Sequence, residues 1–133
     1  MNHLRSRLIT DLDELTDYET RWERIREVSG GPIFASHALS CTWLSVFQGI
    51  LEPRVLVVED GRDLAGVVPL CTRRVNRARA PFRTVSFIGQ EGIFGFNNYK
   101  ALIEPGRHDV LDKAVRGVGD IGWTMLKTNY MDD

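Results

Sequence analysis

Val55-Leu56-Val57-Val58, followed by Glu59-Asp60-Gly61-Arg62-Asp63 and then by Leu64-Ala65-Gly66-Val67-Val68-Pro69-Leu70-Cys71, is the stretch that decides the fold. The first run is mostly β-branched and suits a pleated surface. The Asp-Gly pair supplies the positive φ that a tight turn needs, and the second run is apolar again, so residues 54–71 predict a β-hairpin. Successive rather than alternate positions are apolar in both runs, which predicts a sheet covered on both faces. Pro69 has no N–H to give to a ladder and marks a bulge or the end of a strand.

Toward the N-terminus, Gly49 and Pro53 bound a helix for which Ser36 is the N-cap and whose apolar side carries Leu39, Trp43, Val46, Phe47 and Ile50. Before it, Thr10-Asp11-Leu12-Asp13 has the form of a capping box. Leu12, Leu15, Tyr18, Trp22, Ile25 and Val28 follow at helical steps and predict one amphipathic helix, stopped by Gly30-Gly31-Pro32. Arg7-Leu8-Ile9-Thr10 is a short first strand. Trp22 and Trp43, both on apolar helical faces, are expected in the core, and His37 and His108, both near helix starts, on the surface.

Toward the C-terminus, residues 73–83 read as a polar, arginine-rich connection and Thr84-Val85-Ser86-Phe87-Ile88-Gly89 as a third strand. Asn98-Tyr99-Lys100-Ala101-Leu102-Ile103 makes a fourth, ended by Glu104-Pro105-Gly106. Residues 108–116 form a third helix with Leu111, Ala114 and Val115 on one side, and Trp123-Thr124-Met125-Leu126-Lys127 begins a fifth strand whose far edge has no later strand to pair it. This order predicts an α+β fold, a mixed α/β sandwich in which helices cover a central, mainly antiparallel sheet.

The 133 residues, 43% of them hydrophobic, suit a single domain spanning 1–133. A formal net charge of -1 excludes a surface built as a whole for nucleic acid, so nucleic acid is not an expected partner. No apolar run approaches the roughly 20 residues of a membrane span. The first ten residues lack the apolar segment of a secretory signal, which places the chain in the cytoplasm. Cys41 and Cys71 stand alone in apolar surroundings, and His3, His37 and His108 form no ligand pair with them, so no metal is expected.

The order of elements, together with Trp22 in its helix, Phe34-Ala35-Ser36 leading to Trp43, the hairpin, Phe87-Ile88-Gly89 and Asn97-Asn98-Tyr99, resembles the GNAT acetyltransferase superfamily. The likeness is to the amino-terminal half of its CelD-type (cellulose-biosynthesis, FemAB-like) members. The resemblance implies a GNAT-like acyltransferase domain that moves an acyl group from acetyl-CoA or another acyl-CoA to an amine, on a small-molecule or polysaccharide-related substrate. It also implies that 1–133 is the amino-terminal half of a longer two-half protein, completed by a second GNAT-like half or subunit. A non-catalytic GNAT-like binding module is the alternative. Two departures stand out: Asn98 occupies a position where members carry an acid, and the R-x-x-G-x-G/A pyrophosphate loop is missing.

Amine acylation needs a base to take the amine proton and donors for the developing oxyanion. The glycine-punctuated residues 90–99 supply a candidate base in Glu91 and candidate substrate contacts in Phe94, Asn97, Asn98 and Tyr99. Arg73, Arg74, Arg77, Arg79 and Arg83 put five guanidinium groups into 11 residues, a pattern that suits either phosphate binding or a solvated connection.

Overall fold

The computed structural model describes residues 4–77, 80–88, 101–119 and 125–126. The hairpin is its centre. Strand β2 (Leu51–Asp60) pairs antiparallel with β3 (Asp63–Arg77), and Gly61, at φ 65°, sits in the turn between Asp60 and Asp63. Side chains alternate across the two strands, and both sets are apolar. Val55, Val57, Leu64, Val67 and Cys71 join one buried cluster, while Leu56, Val58, Ala65, Val68 and Leu70 join another. The register shifts between Val58 and Glu59, so Ala65 is the extra residue of a bulge.

Strand β1 (Leu4–Ile9) lies antiparallel on the outer edge of β2, and β4 (Ala80–Phe87) lies antiparallel on the other edge of β3. Among the described residues the sheet has six strands in the order β1-β2-β3-β4-β6, with β5 (Leu102–Ile103) also on β3 and β6 (Met125–Leu126) parallel to β4. Helices α1 (Leu12–Thr16), α2 (Glu19–Ser29) and α3 (His37–Val46) supply the first cluster, and α4 (His108–Gly119) supplies the second. The fold is therefore α+β, a mainly antiparallel sheet flanked by helices, as the order of elements predicts.

The expected arginine-rich connection is instead a pair of strands. β3 runs to Arg77 and β4 starts at Ala80, with Arg73 opposite Thr84 and Arg74 opposite Arg83. Pro69 is an interior residue of β3, opposite Val55, rather than a strand end. Its carbonyl accepts the Ile88 N–H at 2.9 Å just past the end of β4. On the same edge, Gly66 and Val67 pair with β5. Pro69 thus stands where β3 exchanges one neighbour for another, the position at which a missing donor costs the ladder least.

The single predicted helix is two. Consecutive steps of three residues each turn the face back by about 60°, which sets Leu12 and Val28 at opposite ends of the stripe and leaves Leu15, Tyr18, Trp22 and Ile25 on one face. The chain breaks at Asp17 and Tyr18, and those four residues are buried on either side of the break. Val28 drifts off that face and is exposed. The first cap is Asp11, whose carboxylate accepts the Asp13 N–H, rather than Thr10. Gly30, at φ 72°, ends α2, and Ser36 Oγ accepts the Leu39 N–H to start α3, both as expected.

Candidate functional site

The predicted site residues Glu91, Phe94, Asn97, Asn98 and Tyr99 lie outside the described residues, as does Arg79. The ends of that segment are placed. β4 closes with Ile88 bonded to Pro69, and β5 begins at Leu102 opposite Val67, so the chain leaves and rejoins one edge of β3 within a few residues of Pro69. From β5 the chain passes through Glu104-Pro105-Gly106-Arg107 into α4, whose Val110 and Ala114 pack on the sheet, and returns as β6 beside β4. Leu111 and Val115, expected on the covered side of α4, are exposed. Gly117 replaces them in the contact: a Cβ there would come within 2.6 Å of Leu56 Cδ2.

At the start of α4 the structure gathers four charges that the sequence reading left in separate turns. The Arg107 guanidinium reaches both carboxylate oxygens of Asp109 at 3.0 and 3.1 Å, Asp60 of the hairpin turn at 3.2 Å and Glu104 at 3.6 Å. Hydrogen bonding to Asp109, and then to Asp60, raises the Arg107 pKa further above its ordinary value. Asp109 is held below the usual carboxylate range by Arg107 and, against some burial, by the backbone N–H groups of Val110 and Asp109 itself. The only cation of this group is therefore engaged with carboxylates of the chain. Only the Asp-Gly and Pro-Gly turns could have flagged these positions, because Asp60 is distant in sequence from Glu104, Arg107 and Asp109 and meets Arg107 through the sheet.

A second cluster joins α1, α2 and α3. Trp22 Nε1 donates to the Ala35 carbonyl at 2.8 Å, and the Trp22 ring meets His37 edge-on at 5.3 Å. His37 is buried, contrary to the surface position expected of it: its Nε2 donates to the Leu15 carbonyl at 2.8 Å, which satisfies a helix end. Cys41 Sγ lies 3.5 Å from that nitrogen. Burial, and then the Glu19 carboxylate, push the Cys41 thiol up, which favours the protonated thiol. Glu23 accepts the His37 N–H at 2.8 Å and a hydrogen bond from Arg26 at 2.9 Å. Burial raises its pKa, but these bonds outweigh burial and hold it below the ordinary carboxylate value.

Trp43 is only half-buried, which corrects the core position expected of it. It stacks at a tilt on Phe47 with centroids 5.0 Å apart, and its buried Nε1 meets no partner among the described residues. Together with Ile50, Leu51 and Arg73 these rings line a cavity of about 140 Å³. Thr72 Oγ1 is likewise buried with no partner among the described residues. Among the described residues, no group of three or more His, Cys, Asp or Glu is placed to hold a metal ion. No described helix is long and apolar enough to cross a membrane.

No protein-family model matches the chain. No curated protein matches it. Among solved structures, it is similar to a ribosomal-protein-alanine N-acetyltransferase from Brucella melitensis biovar Abortus 2308, at 12% identity and a TM-score of 0.44, over 96% of this chain and 79% of that one. It is also similar to an aminoglycoside acetyltransferase from an uncultured soil metagenomic sample, in complex with sisomicin, at 10% identity and a TM-score of 0.44, over 96% and 78%. A GCN5-related N-acetyltransferase from Ralstonia eutropha JMP134 matches at 12% identity and a TM-score of 0.42, over 97% and 84%.

Proposed function

We propose that the chain is a GNAT-like acyltransferase domain of the CelD-type, FemAB-like kind. It works in the cytoplasm as one half of a two-half unit that transfers an acyl group from acyl-CoA to an amine of a small molecule or polysaccharide precursor. The observation that carries the reading is the change of strand direction at one edge. An antiparallel meander gains a parallel neighbour, β6 beside β4, by way of α4. Crevices at the carboxyl ends of parallel strands joined through a helix are where such folds bind ligands.

The described residues do not fit the pyrophosphate of coenzyme A at the one helix start this crossover offers. A phosphate site there needs a net positive field, whereas Asp60, Glu104 and Asp109 converge on Arg107, three carboxylates to one cation. That mismatch supports assigning acyl-CoA to a second half and the amine substrate to this one. The residues 89–100, with Glu91, Phe94, Asn97, Asn98 and Tyr99, are the proposed amine contacts because both their ends are anchored beside this crossover.

The test is acetyl-CoA turnover, read as thiol release against a panel of amino sugars and polyamines. The chain by itself and the natural protein that contains it are compared. Turnover only in the larger protein, lost with Glu91→Gln, is the expected result. Turnover by the chain alone would overturn the two-half reading, and none in either would leave a non-catalytic binding module.

A further inference from the structure

Helix α3 hands over to β2 through a turn that frames a small cavity. The Phe47 carbonyl accepts the N–H groups of both Ile50 and Leu51 at 3.0 Å, and Gly49 supplies the φ of 91° that the reversal needs. Backbone bonds therefore hold Phe47, Ile50 and Leu51 together. Trp43, one turn earlier, stands against Phe47 at a ring tilt of 44°. From the sheet comes Arg73, the register partner of Leu51 across β2 and β3. These five side chains line the cavity of about 140 Å³.

Size and wall chemistry narrow the ligand. An apolar cavity of about 150 Å³ admits benzene, so this one has room for a single six-membered ring. Two of its walls are aromatic, and such walls favour another ring set offset or edge-on. Leu51 is buried and Ile50 is 55% exposed, which leaves the cavity open on the Ile50 side.

Charge sets the rest. Residues 33–51 contain no Asp, Glu, Lys or Arg, so among the described residues Arg73 is the only charged group of the lining. Glu52, the next residue of β2, pairs with Arg54. A guanidinium has five N–H groups and a carboxylate takes two, so Arg73 can hold an anion here beside its other contact. Trp43 adds a buried indole N–H with no partner among the described residues, a donor that folded proteins rarely leave unmet.

We infer that this cavity binds a small aryl carboxylate, one aromatic ring joined through one or two carbons to a carboxylate. The ring lies against Trp43, Phe47 and Leu51, and the carboxylate meets Arg73. The site uses none of the proposed amine contacts, so it stands whether or not the chain acylates amines. A ligand of about ten heavy atoms in an open cavity binds weakly, with a dissociation constant on the order of 0.1–1 mM.

Proton–nitrogen correlation NMR of the whole chain, titrated with phenylacetate to about 10 mM, reads the proposal. The Trp43 indole resonance, identified by its loss in Trp43→Phe, should shift saturably with a midpoint on the order of 0.1–1 mM. Benzylamine has the same ring and the opposite charge, and acetate has no ring. Each should bind at least about tenfold more weakly. Arg73→Gln should weaken phenylacetate by a similar factor and leave the rest of the spectrum in place; if it disturbs the fold, the three ligands on the parent chain decide alone. No saturable shift of the Trp43 resonance, benzylamine or acetate binding as tightly as phenylacetate, or a folded Arg73→Gln variant that binds like the parent would each overturn the inference.

Discussion

Replacing the two helical tryptophans separates what hydropathy alone treats as equal. Both lie on apolar helical stripes, yet Trp22 is fully buried with its N–H bonded to the Ala35 carbonyl, while Trp43 is half-buried with its N–H unpaired among the described residues. Trp22→Ala removes a large buried ring, worth about 3–5 kcal/mol, and it also strands a buried carbonyl. Trp22→Phe keeps most of the volume but leaves Ala35 O unsatisfied, which costs about 1–3 kcal/mol. Trp43→Ala gives up only partial apolar burial and no hydrogen bond, about 1–2 kcal/mol. At this chain length each kcal/mol lowers Tm by roughly 3–5 °C, so Trp22→Ala should lose more than about 10 °C and Trp43→Ala about half that. Urea unfolding measures all three. Equal losses for Trp22→Ala and Trp43→Ala would refute the reasoning, as would a Trp22→Phe variant as stable as the parent.

Gly66→Ala places a Cβ 2.9 Å from Val110 Cγ1 and 3.1 Å from Ile103 Cδ1, so it should cost about 1–3 kcal/mol by overpacking β3 against α4. Adding Val110→Ala should recover part of the loss in denaturant melts, and strictly additive costs would show that the two do not meet. Glu23, held below its ordinary pKa in the fold, contributes stability that is complete above the unfolded value and is lost as pH falls through the folded one. Glu23→Gln should therefore cost less than about 1 kcal/mol at pH 7, discounted for its partial exposure. It should also flatten the acid limb of Tm against pH; an unchanged limb would mean that the carboxylate does not hold the start of α3. Asp60→Asn with Asp109→Asn leaves Arg107 with Glu104 alone of its three carboxylates and should create weak, salt-sensitive binding of inorganic pyrophosphate, followed by calorimetry. No gain over the parent would mean that the carboxylates are not what closes this helix start.

The hairpin was legible because its turn and both its strands carry local chemistry: β-branched runs, an Asp-Gly pair and two apolar faces. Gly30 and Ser36 were legible for the same reason, since caps are fixed by one residue and its own backbone. Faces were harder. The covered side of α3 is made of Ser36, His37, Ser40 and Leu44, where His37 finds the Leu15 carbonyl and the Ser36 hydroxyl caps the helix. Hydropathy ranks those residues below the stripe that actually faces outward. In α4, Gly117 rather than Val115 meets the sheet, since only a residue without a Cβ fits against Leu56. The β6 pairing escaped the pattern because two residues carry no period, and the Arg107 cluster because Asp60 and Glu104 are 44 positions apart and meet only when β3 has placed β5. The predicted loop residues Glu91, Phe94, Asn97, Asn98 and Tyr99 lie outside the described residues.

Titration of the chain with acetyl-CoA tests the central claim most directly, because the claim divides acyl-CoA binding from this half of the unit. With Asp60, Glu104 and Asp109 closed on Arg107, the account predicts no saturable heat up to about 1 mM ligand. Saturable binding with a dissociation constant near or below about 100 μM, at a site that protects the amides of α4's first turn from exchange, would contradict it.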